Sequence, residues 1–171
     1  MAMLKLATLE DTCNFGALLA RLLPASGVRA VLLRGGLGSG KTTLTATLVR
    51  ALPGGEEAEV ASPSFTLCNI YPTLPPLVHC DLYRAPGHAP EELLDALDGG
   101  DALAVVEWAD SLDPAELPED YLDISLKIED DGRLLLLQGV GPRGKALAAA
   151  LAVAMERDPR LPQAATVPRN G

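Results

Sequence analysis

Leu33 to Leu44 reads LRGGLGSGKTTL, which sets Gly35, Gly40, Lys41 and Thr42 in the spacing G-x-x-x-x-G-K-[ST]. A largely apolar run from Val28 to Leu33 precedes it, and residues that favour a helix follow. Strand, glycine turn, helix is the context in which this spacing holds phosphate. Glycine lacks a Cβ, so successive amides can turn inward around an anion and phosphate oxygens can approach the main chain. The helix behind the turn adds the positive end of its dipole. Gly36, Leu37, Gly38, Ser39, Gly40, Lys41, Thr42 and Thr43 are therefore the expected phosphate cradle. Lys41 is expected to reach the outer phosphates, and the Thr42 hydroxyl to ligate a magnesium ion that stays mostly hydrated.

A nucleotide triphosphatase needs a further carboxylate near its magnesium, at the end of a strand beside the phosphate loop. Two strands end in one. Glu107 closes the apolar run LAVVE, and Asp81 closes PLVHCD. Glu107 is preferred as the magnesium partner because its strand reads as buried on both faces, as in a parallel sheet, whereas Asp81 sits on a hairpin. Arg84 is a candidate for charge near a transferring phosphoryl group, set against the commoner surface arginine. His79 alternates with Asp81 and either helps orient the site or is a satisfied structural histidine. Trp108, the one tryptophan, either packs or reports on nucleotide beside Glu107.

Outside these segments the pattern is that of an α/β chain. Met3 to Leu6 reads as a first strand, and Thr8 to Asp11 has the [ST]-x-x-[DE] form of a helix start, with Pro24 and Gly27 expected to stop that helix. The helix after the loop is expected to run from Lys41 to about Leu52, with Leu44, Leu48, Ala51 and Leu52 on one face. VASPSFTLCNIY and PLVHCDLYR read as a hairpin, Glu91 to Leu97 as a short helix, Tyr121 to Ile128 and Arg133 to Gln138 as a second hairpin, and Lys145 to Met155 as the last helix. The expected fold is a three-layer P-loop NTPase-type α/β domain with a mixed, mostly parallel central sheet. Residues 1–156 form that single domain, and 157–171, poor in apolar residues, form an expected disordered tail.

Composition narrows the function. With 171 residues the chain has room for one substantial core, and 48% hydrophobic residues place it among globular proteins. No apolar stretch approaches the roughly 20 residues of a membrane span, and the first residues lack the pattern of a signal peptide, so no membrane association and a cytoplasmic location are expected. The three cysteines, Cys13, Cys68 and Cys80, are odd in number and widely spaced, and read as small buried thiols. Twenty-three acidic against 14 basic residues leave a net charge of −9, which disfavours direct nucleic-acid binding. Any RNA is expected to be held by a partner.

Four segments in series, GGLGSGKTTL, SPSFTLCNIY, HCDLYR and VVEWAD, resemble one family, the TsaE (YjeE) proteins of bacterial tRNA threonylcarbamoyladenosine synthesis. The resemblance spans about Val28 to Asp110. It implies a small ATPase that takes ATP, returns ADP, uses Mg2+ and assists TsaB and TsaD, with tRNA reached only through them. It also implies that Ser64, Phe65 and Thr66 lie in a switch-like segment near the outer phosphate and that Trp108 belongs to a second mobile segment. Asp81 is implied to act on water or metal, and Glu107 to be the second carboxylate. Gly36 stands where the family commonly has an acidic residue, and Ser64 where it commonly has threonine. A small-molecule kinase is the first competing reading, weakened by the lack of an arginine-rich lid segment. The second is a nucleotide-dependent assembly switch without significant turnover.

Overall fold

The structure is a computed structural model that describes residues 2–63 and 65–162. Its strands are β1 (Ala2–Leu6), β2 (Ala30–Arg34), β3 (Cys68–Tyr71), β4 (Leu77–Asp81), β5 (Leu103–Glu107), β6 (Tyr121–Glu129) and β7 (Gly132–Val140). Its helices are α1 (Leu9–Ser26), α2 (Lys41–Ala51), α3 (Glu91–Leu97) and α4 (Gly141–Arg157), with short 3-10 turns at Ala109–Ser111 and Pro114–Glu116. The seven strands form one sheet in the order β1-β7-β6-β2-β5-β4-β3. The core of the sheet, β6-β2-β5-β4, is parallel, while β3 and β7 run against it.

Two-residue alternation divides the sheet's side chains between two apolar layers. Val31, Leu33, Leu103 and Val105 pack on one side with Phe15 and Leu19 of α1, Leu44 and Leu48 of α2, and Leu147 and Leu151 of α4. Ala30, Leu32, Ala104 and Val106 pack on the other with Leu93, Ala96 and Leu97 of α3. Every residue of β5 is buried, so both of its faces contribute. Each fully buried leucine or phenylalanine adds about 1.5–3 kcal/mol, which makes this sandwich the main source of stability. The expected three layers and mixed sheet are what is found.

Several local expectations change. Thr8 caps α1 with a complete capping box, but the helix runs through Pro24 and ends at Gly27, which has φ 76°. Proline removes one amide from the last turn, and Ser26 ties that end instead, donating to the Leu23 carbonyl at 2.7 Å and accepting from the Val28 amide at 3.0 Å. β3 is shorter than its alternating pattern, because Leu67 takes a left-handed conformation with φ 64° and delays strand pairing until Cys68. α4 begins at Gly141 rather than Lys145, since Pro142 suits a first helical turn and the Asp120 carboxylate accepts from the Arg143 amide at 2.7 Å. In α2, Ala51 is exposed and the apolar face is completed by Val49.

The cysteines also differ from the sequence reading. Cys68 and Cys80 face each other in the β3–β4 register and are joined as a disulfide, and Cys13 is unpaired and exposed. A separation of 12 residues gave no sign of this, because only the antiparallel register brings the two together. Beyond α4, Leu161 packs against the core and Asn14 donates to the Arg160 carbonyl at 3.0 Å, while 163–171 lie outside the described residues.

Candidate nucleotide site

The loop between β2 and α2 opens beside the C-terminal ends of β5 and β4, where Leu33, Glu107 and Asp81 lie side by side in register. Gly35 has φ 132°, and a Cβ there would stand 2.2 Å from the Leu126 carbonyl oxygen, so no other residue fits. Gly40, with φ 105°, turns the chain into α2, whose first amides have no side-chain cap. Uncapped first-turn amides are donors left for an anion. Ser39 Oγ, buried in the wall of the cleft, has no hydrogen-bond partner among the described residues. The cleft has a volume of about 570 Å3, within the usual range for a small-molecule site.

Lys41 is 5% exposed. Its Nζ donates to the carbonyls of Gly35 at 2.7 Å and Gly36 at 2.9 Å and lies 4.2 Å from the centre of the Trp108 ring. Burial lowers its pKa below that of an ordinary lysine, opposed by the attraction of Glu107, Asp81 and Asp110. Thr42 Oγ1 donates to Glu107 Oε2 at 3.0 Å, and the other oxygen, Oε1, is 2.8 Å from His79 Nε2. Asp81 accepts from the Ser62 hydroxyl and, at 3.0 Å, from the Tyr83 amide, while its own amide donates to the Leu67 carbonyl at 2.9 Å. The two carboxylates are thus held by different segments, Glu107 by α2 and β4, Asp81 by Ser62 before β3 and by the turn after β4.

Trp108 has φ 59° and packs on Tyr83 with ring centres 4.7 Å apart. Arg34 holds the segment that follows, donating to Asp110 at 2.5 Å and Asp123 at 2.8 Å, and both pairings raise its pKa against the lowering by burial. Arg84 lines the cleft with its guanidinium 4.9 Å from the centre of the Phe65 ring. Thr66 is exposed, bonds Asn69 Oδ1 at 3.1 Å and is not part of the cleft wall; Ser64 lies outside the described residues.

Leu37 to Thr43, Asp81, Glu107, Arg84 and Trp108 line one cleft; Thr66 and Gly36 do not, and Gly36 enters only through its carbonyl, which accepts from Lys41. Residues that sequence reasoning passed over are Thr8 and Thr12 at the start of α1, Ser62, and Arg133 on β7. Arg133 donates to the Gly38 carbonyl at 3.4 Å, across 95 residues of sequence, and only the sheet order places it there. The one available hint was the capping box at Thr8, which marks a helix start without telling what it faces.

A G-K-T loop between a central parallel strand and a helix, with strand-end carboxylates beside it, defines a P-loop NTPase fold. Residues 6–135 match the profile described as "TsaE: Threonylcarbamoyl adenosine biosynthesis protein TsaE", and the chain belongs to that family. It is 39% identical to a "tRNA threonylcarbamoyladenosine biosynthesis protein TsaE" of Streptomyces coelicolor over 140 residues, 76% of this chain and 91% of the relative. A protein of the same name from Bacillus subtilis is 36% identical over 117 residues, covering 67% and 72% of the two chains. The crystal structure of Bacillus subtilis YdiB superposes with a TM-score of 0.69 at 27% identity, covering 89% of this chain and 94% of the other. Among the described residues no helix is long and apolar enough to cross a membrane.

Proposed function

We propose that this chain binds and hydrolyses ATP with Mg2+ in the cytoplasm, supporting TsaB and TsaD in forming threonylcarbamoyladenosine at position 37 of tRNAs. The observation that carries the reading is the contact of Thr42 Oγ1 with Glu107 Oε2 at 3.0 Å, beside a loop whose helix amides are uncapped. The loop amides and Lys41 hold the β- and γ-phosphates. An oxygen-only donor pair, Thr42 and Glu107, suits a hard, mostly hydrated cation such as Mg2+. When bound, the cation neutralises charge developing between the phosphates. Asp81, held by Ser62 and the Tyr83 amide, is the group that orients the attacking water. The net charge of −9 leaves tRNA to the partners.

Reconstitution tests this. With TsaB, TsaD and threonylcarbamoyl-adenylate, tRNA modification should continue over repeated turnovers only when this chain and ATP are present. An unchanged yield without it refutes the reading. A single-turnover assay separates hydrolysis from a pure assembly switch, which would show no burst of ADP.

A further inference from the structure

We infer that His79 is a positioning residue for Glu107, and that through it β4 sets how strongly the site holds the divalent cation of a metal–nucleotide complex. The inference rests on the nucleotide reading above. His79 is 0% exposed, and Glu107, which lines the cleft, is 2% exposed, so neither has much access to solvent. A buried carboxylate needs a donor at each oxygen. Glu107 has one at each: His79 Nε2 at Oε1, 2.8 Å away, and Thr42 Oγ1 at Oε2, 3.0 Å away. A carboxylate only accepts, so the imidazole hydrogen sits on Nε2. The other ring nitrogen, Nδ1, has no partner among the described residues, and the Tyr71 ring stacks alongside with centres 6.4 Å apart. The ring is therefore packed in place with one polar contact, and that contact is to Glu107.

The consequence is directional. With Oε1 anchored from β4, Glu107 cannot swing, and Oε2 alone is presented to the Thr42 hydroxyl. Without the anchor the side chain is free to rotate, the Thr42 hydroxyl loses its fixed acceptor, and the oxygen pair that suits the cation is no longer preformed. Groups that orient a metal ligand in this way typically carry about 10- to 100-fold in metal affinity. Phosphate binding by the loop amides and Lys41 does not pass through His79 and should be spared.

Two variants and one spectrum test this. Mn2+ binding to the protein with saturating ADP is measured by electron paramagnetic resonance, and ADP affinity without metal by calorimetry. His79→Leu, of similar bulk but with no donor, should weaken Mn2+ by about 10- to 100-fold while metal-free ADP affinity stays within about twofold, and His79→Gln, which keeps an amide donor, should recover most of the loss. Unchanged Mn2+ affinity in His79→Leu, equal loss of both affinities, or no recovery in His79→Gln overturns the positioning role. In the unaltered protein, which has only two histidines, long-range 1H–15N correlation should show a buried imidazole protonated on Nε2 whose signal moves in Glu107→Ala. An Nδ1-protonated ring overturns the proposal without any variant having to fold. Failure of the unaltered chain to take up Mn2+ with ADP overturns the nucleotide reading and this role together, whereas normal uptake that ignores His79→Leu overturns this role alone.

Discussion

A lysine with 5% of its surface exposed needs partners, and Lys41 takes the Gly35 and Gly36 carbonyls and the face of Trp108. Phosphate oxygens would replace those carbonyls with charged acceptors. Lys41→Ala should therefore weaken ATP by about 10- to 100-fold, the worth of one charged hydrogen bond, and titration calorimetry reads it directly. Glu107 is held on both oxygens, and its removal has two separable effects. Glu107→Ala should keep metal-free nucleotide affinity but lower Mg2+-dependent turnover by about 100-fold in a phosphate-release assay. It should also destabilise the fold by about 1–3 kcal/mol in urea unfolding, because buried His79 loses its one partner. Equal loss of affinity and turnover would count against a metal-side role.

Among the elements, α1 and the β3–β4 hairpin depend on single features. The α1 capping box joins the Thr8 side chain to the Asp11 amide at 3.1 Å and the Asp11 carboxylate to the Thr8 amide at 2.8 Å. Thr8→Ala should cost about 1 kcal/mol and lower the melting temperature by about 2–4 °C, as calorimetry would record. The Cys68–Cys80 bond closes a loop with a sequence separation of 12, and cleaving it with a dithiol should lower stability by up to about 3 kcal/mol, seen as an earlier urea midpoint. The hairpin itself should persist, because Asn69, Ile70 and Tyr71 keep their pairing with His79, Val78 and Leu77.

For the molecule as a whole, the cleft draws on segments far apart in the chain: the cap of α1 supplies Thr8, the loop leads into Lys41, and β7 supplies Arg133. Ligand binding should therefore report on global stability. ATP with Mg2+ at about one hundred times its dissociation constant should add about 2.7 kcal/mol, or roughly 5–10 °C in melting temperature, and Lys41→Ala should lose most of that shift at the same concentration. A melting curve indifferent to saturating nucleotide would contradict the site.

What could be learned from the chain in one dimension was whatever neighbours in sequence decide. The loop spacing at Gly35 to Thr42, the capping box at Thr8, the two-faced burial of β5 and the hairpin of Tyr121 to Ile128 with Arg133 to Gln138 are all short-range, and each is found where the pattern placed it. The misjudged boundaries, at Pro24, Leu67 and Gly141, are places where a side chain or a left-handed residue settles a choice that propensity leaves open. Sequence pattern also carried both carboxylates, since each ends a strand, but not their partners. Whereas Cys68 facing Cys80 follows from the register of a hairpin that was itself legible, that Glu107 meets Thr42 and His79 and that Arg133 reaches Gly38 follow from a sheet order in which β2 lies between β5 and β6. Such pairings join residues far apart in the chain, and only the burial of two apolar layers on one twisted sheet selects them.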